Sequence, residues 1–164
     1  MDAKQIISII CGILSLVAIF LFTLFTFEVT GDIYYVSGIN GVKRILNIFF
    51  ESISMIYIIG AITLLIFLFS GILQIIGAKE RSLTIIGSIL PLFFGLIIIL
   101  DSFNLLPKSF IGILYILGDP ERVIPDILPF DYVITDRTES IGTYLLILSG
   151  SLGLISGLLK RGGD

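Results

Sequence analysis

Residues 52–100 contain two long uncharged runs, Ser52–Gly77 and Ser82–Leu100, separated by one charged knot, Lys79-Glu80-Arg81. A helix of about 20 apolar residues crosses the hydrocarbon core of a bilayer. The knot is too polar to sit in that core and too short to do more than turn the chain back into it. The stretch therefore reads as a transmembrane helical hairpin, and this sets the class of the whole chain.

Composition agrees. The chain has 164 residues, 56% of them hydrophobic and 14% charged, with a mean hydropathy of +1.11. A soluble domain is about a quarter charged. Two further uncharged runs, Gln5–Phe27 and Ser140–Leu159, complete four spans. The first is too long for a secretory signal, and no small-x-small cleavage site follows it before Glu28. The expected fold is an all-α four-helix transmembrane bundle forming one domain, with spans near 5–27, 52–77, 82–100 and 140–159. Outer loops are expected at 28–51 and 101–139, and a cytoplasmic turn at 78–81.

The loops carry their own signals. Phe27-Glu28-Val29-Thr30 and Ile33-Tyr34-Tyr35-Val36 are rich in β-formers and flank Gly31-Asp32, which predicts a short β-hairpin in the first outer loop. From Val42 the spacing of Ile45, Ile48 and Phe49 is helical, an amphipathic lead-in to the second span. In the second outer loop, Phe110–Leu117 is apolar but too short to span, which predicts an interfacial helix. Asp119-Pro120-Glu121 reads as the start of another short helix.

Sidedness follows from the density of Lys and Arg. Lys4, Lys79, Arg81, Lys160 and Arg161 fall in short segments on one side; Lys43, Arg44, Lys108, Arg122 and Arg137 are spread through long loops on the other. Both termini are thus expected to be cytoplasmic, in a cell membrane. All six tyrosines lie in the outer loops or at the outer ends of spans.

Small residues mark the expected helix contacts. Gly87, Pro91 and Gly95 recur every fourth position in the third span, as do Ser149, Gly153 and Gly157 in the fourth. That spacing stacks them on one face and lets backbones approach closely, against this bundle or against another subunit. Pro91 should kink its helix unless neighbours satisfy the carbonyl it frees. Gln74, near the knot, reads as a snorkelling or helix-pairing amide, and Asp101 as a marker of the membrane surface.

The acidic second loop, with Asp119, Glu121, Asp126 and Asp131, is a candidate surface for a partner. Its carboxylates are scattered and form no Asp-x-Asp-x-Asp-Gly loop, so no metal site is expected. Histidine and tryptophan are absent, and Cys11 is the only cysteine. This removes the usual metal ligand, the usual proton carrier and any intrachain disulfide. The spans have no charged residue in their interiors, whereas ion-coupled carriers and voltage sensors depend on such residues. No catalytic or cofactor-binding motif is present. The net charge of −3 and the lack of a basic run exclude a nucleic-acid partner. Isoleucine is the commonest residue, while Asn, Gln, Met and Cys are few, which fits a thermophile and equally an AT-rich genome.

The layout of four spans, a smaller first outer loop and a larger second one resembles the tetraspan plan of tetraspanins and claudins. The resemblance is one of topology. The Cys-Cys-Gly of the first family and the Trp and Cys pair of the second are missing, so no residue role carries over.

The expected function is that of a non-catalytic structural or accessory subunit, without cofactor, among membrane lipids. It would pack on other membrane subunits, or on itself, through Gly/Ser-rich faces and outer loops. The alternative is a small oligomeric transporter or pore for an uncharged or lipidic substrate.

Overall fold

The computed structural model describes residues 2–29, 31–48, 55–103, 105–106, 121–122 and 140–159. Four of its helices are long and apolar enough to cross a membrane. They are α1 (Ala3–Phe20), α3 (Met55–Ile76), α4 (Arg81–Ser102) and α5 (Ile141–Leu158). A shorter helix, α2 (Gly38–Ile48), leads into α3.

The helices run alternately up and down. Each packs on two neighbours: α1 and α4 lie across a diagonal, and α3 and α5 each touch both. Large aliphatic side chains face outward, such as Ile6, Ile10 and Ile13 on α1 and Ile86, Ile89 and Phe93 on α4. Serine, threonine and glycine face inward: Ser8 and Ser15 on α1, Thr84 and Ser88 on α4, Ser149 and Gly153 on α5. This inverts the soluble pattern, because lipid is as apolar as leucine and helix association depends on close packing and hydrogen bonds.

The predicted hairpin is present. Strands β1 (Phe25–Val29) and β2 (Asp32–Val36) pair antiparallel, from Phe25 opposite Val36 to Val29 opposite Asp32. Gly31, in the connection, has φ 87°, which glycine adopts without steric cost. A third strand, β3 (Glu121–Arg122), adds to β2, with Tyr35 opposite Glu121 and Tyr34 opposite Arg122. The long connection between α4 and α5 thus joins the sheet built between α1 and α2. The short helix expected to start at Asp119-Pro120-Glu121 is not formed at Glu121, whose backbone pairs with β2 instead, while segments 107–120 and 123–139, with the expected interfacial helix at Phe110–Leu117, lie outside the described residues.

The first helix stops at Phe20, well short of the end of its uncharged run. Beyond it, the backbone has better partners than another helical turn. Leu24 N–H donates to Val36 O at 2.9 Å, while Ser140 N–H donates to Leu24 O at 3.1 Å and Gly142 N–H to Thr23 O at 3.0 Å. The Thr143 hydroxyl also donates to Leu24 O. Thr23 and Leu24 therefore serve as the socket for the first turn of α5, satisfying donors that every helix start leaves open. Beside this socket lies the apolar half of the core, where Ile19, Leu24, Val36, Phe67, Ile98 and Leu146 are buried together. Phe67 and Phe94 pack there as tilted rings with centroids 4.8 Å apart.

Candidate functional site

The other half of the bundle, toward the knot, is polar inside. It is organised around Pro91. Proline has no N–H, so the carbonyl of Gly87, four residues earlier in α4, loses its helical donor. Helix α3 replaces that donor twice. Ser70 Oγ donates to Gly87 O at 2.6 Å and Gln74 Nε2 at 2.8 Å. The approach requires glycine at 87, where a Cβ would come within 2.7 Å of Ser70 O and 2.9 Å of Gln74 N. Gln74 is thus a helix-pairing amide and is fully buried, with no route to snorkel.

The network continues across the diagonal. Ser8 Oγ donates to the backbone oxygen of Gln74 at 2.6 Å and lies 2.9 Å from Thr84 Oγ1. With the Ser8 proton used, Thr84 is the donor in that pair. Ser88 Oγ donates back along α4 to Thr84 O at 2.6 Å. Helix α5 joins at its end, where Ser156 Oγ donates to Lys4 O at 2.8 Å. The four hydroxyl protons of Ser8, Ser70, Thr84 and Ser88 are all engaged, and Gln74 Oε1 is buried with no donor. Ser15 Oγ, further along α1, is likewise buried and unmatched.

Arg81 closes this end. Its Nε donates to Gly157 O at 2.8 Å and its Nη2 to Leu158 O at 3.2 Å, so a cation meets the open carbonyls at the C-terminus of α5. In the sequence Arg81 is legible only as a marker of sidedness.

Of the small residues singled out in the sequence, Gly95, Gly153 and Gly157 lie at the α4–α5 contact, whereas Gly87 faces α3. Gly87, Pro91 and Gly95 are buried on α4; Ser149, Gly153 and Gly157 are buried on α5. A Cβ on Gly95 would meet Ile147 Cγ1 at 2.5 Å, one on Gly157 would meet Ile85 Cγ1 at 2.6 Å, and one on Gly153 would overlap Ser88 Oγ. Gly150, not singled out, belongs to the same contact, since its Cβ would lie 2.7 Å from Leu92 N. Of the acidic candidates, Glu121 lies in β3, while Asp119, Asp126 and Asp131 are outside the described residues. Asp101 is half-buried in the last turn of α4.

Ser8, Ser70, Thr84 and Ser88 were not picked from the sequence. One signal was available: the carbonyl freed by Pro91 needs a donor, and Ser70 and Gln74 are one turn apart on the preceding span. The groups gathered here are hydroxyls, a carboxamide and backbone carbonyls. Hydroxyls and amides hold helices together and accept or donate single hydrogen bonds; without an adjacent base they are poor nucleophiles. Against known protein families, curated proteins and solved structures, the chain has no match.

Proposed function

We propose that this chain is a non-catalytic structural or accessory subunit of a membrane protein assembly, with both termini cytoplasmic and the sheet on the outer side. The observation that carries the proposal is the use of the polar interior. Ser8, Ser70, Gln74, Thr84 and Ser88 are committed to one another and to backbone carbonyls of this same bundle. Such a core makes a rigid scaffold that presents its outer surfaces to neighbours. The two candidate contact surfaces are the lipid-facing aliphatic rows and the sheet, with the acidic Asp119, Glu121, Asp126 and Asp131 segment on the outer side. Sidedness rests on the clustering of Lys4, Lys79 and Arg81 at one end.

The deciding experiment is purification from the source membrane in mild detergent, with native gels and mass spectrometry. Co-purification of another membrane protein at fixed stoichiometry is expected. A lone, homogeneous species would overturn the proposal.

One observation favours a second reading, a small oligomeric pore for an uncharged substrate. The unmatched Gln74 Oε1 and Ser15 Oγ offer two acceptors inside the bundle. Reconstituted chain that passes glycerol or urea across liposomes faster than empty vesicles would support that reading over the first.

A further inference from the structure

At the knot end, a groove of about 300 Å³ lies between α1 and the end of α3 with the turn that follows it. Gln5 and Ile9 of α1 form one wall; Ile75, Ile76, Ala78 and Lys79 form the other. The groove has two chemistries along its length. Toward the middle of the bundle it is isoleucine, and the exposed Ile76 continues it into the lipid-facing surface. Toward the knot it is lysine and carboxamide.

The polar end is a set of donors. Gln5 Oε1 accepts the N–H of Asp2 at 3.0 Å, and no acceptor among the described residues takes the amide N–H groups of Gln5. Lys79 is exposed and adds three N–H donors and a full positive charge. Of the acidic groups at this end, Glu80 accepts from Ser82 Oγ at 2.8 Å, and Asp2 forms a capping box with Gln5, its carboxylate held on the first turn of α1. Arg81 is turned away onto Gly157 and Leu158 of α5. Among the described residues that line the groove, Lys79 is the cation, beside the N–H donors of the Gln5 carboxamide.

We infer that the groove is a binding site for an acidic phospholipid of the leaflet at the knot end. The phosphate sits between Lys79 Nζ and the Gln5 amide, and the first part of an acyl chain lies along Ile9, Ile75 and Ile76. A net negative headgroup is specified because a zwitterionic one brings its own cation to Lys79. A lipid is specified over a free phosphate because the isoleucine wall gains nothing from a soluble anion and buries readily against an acyl chain. Basic pockets between spans on one membrane face bind acidic headgroups by this same combination. The site is independent of whether the chain has a protein partner.

The test uses the full chain in mild detergent. Equal amounts of phosphatidylglycerol and phosphatidylcholine are added, and lipid retained on the protein is read by native mass spectrometry. Phosphatidylglycerol should be preferred by about fivefold, the factor that corresponds to about 1 kcal/mol for one basic side chain at a membrane surface. Lys79→Gln should bring the preference close to unity, and Lys79→Arg should keep it. Gln5→Leu, which leaves the charge in place, should weaken the preference without removing it. Lys43→Gln, an exposed lysine on α2 at the other end of the bundle, should leave it unchanged. Equal retention of both lipids overturns the inference. So does a preference that survives Lys79→Gln, or one that falls as far with Lys43→Gln. Inorganic phosphate that raises the melting temperature as much as phosphatidylglycerol does would overturn it too.

Discussion

The carbonyl of Gly87 shows how one residue choice obliges others. Pro91 removes a donor, and Ser70 and Gln74 of a different helix supply two. The coupling can be measured by a double-mutant cycle. Gln74→Leu should lower unfolding stability in detergent by about 1 kcal/mol, the scale of a hydrogen bond between membrane helices. In a Pro91→Ala background, where residue 91 regains its N–H, the same change should cost clearly less. Equal costs in both backgrounds would break the link between Gln74 and the proline. Glycines are constrained in two distinct ways. Gly31 has open space around it but a left-handed φ, so Gly31→Asn should be tolerated and Gly31→Val should not. Gly153 has ordinary backbone but no space, because its Cβ would overlap Ser88 Oγ.

Among elements, α5 depends on its neighbours more than any other span. Its first turn is received by Thr23 and Leu24, its last by Arg81, and its middle lies against α4 through Gly150 and Gly153. Gly153→Leu should therefore lower the melting temperature of the detergent-solubilised protein by many degrees, while Leu152→Ala, on the more exposed side, should move it little. Comparable shifts for the two would remove the case for a close contact at Gly153. The elements were unevenly legible in the sequence. Length and hydropathy gave the four spans, and β-formers around Gly31-Asp32 gave the hairpin. The early end of α1 was not legible, since Leu21, Phe22 and Leu24 are as apolar as the helix before them. What ends it is a set of backbone partners, Val36, Ser140 and Gly142, that are distant in sequence. The addition of Glu121-Arg122 to the sheet was hidden for the same reason: two residues carry no periodicity. The polar interior was half legible. Ser149, Gly153 and Gly157 advertise a face by spacing, whereas Ser8, Thr84 and Ser88 look like ordinary hydroxyls until the helices are assembled.

At the scale of the molecule, the bundle is polar and hydrogen-bonded toward the knot and apolar toward the sheet, and the two ends are expected on opposite sides of the membrane. Single cysteines in a Cys11→Ala background check this. Ser82→Cys, beside the knot, and Lys43→Cys, beside the sheet, are both at exposed positions and should react with an impermeant thiol reagent from opposite faces. Reaction of both from the same face would exclude the proposed sidedness. The repaired carbonyl at Gly87 also has a consequence for how the chain is made. An unmet backbone carbonyl in hydrocarbon costs several kcal/mol, so α4 by itself is a poor candidate to partition into lipid despite its hydropathy. Helix α3 leaves the ribosome first, and with it Ser70 and Gln74, so the translocon meets the defect together with its remedy. In a glycosylation-tagged insertion assay, α4 alone should integrate less completely than the α3–α4 pair, and Pro91→Ala should erase most of that difference.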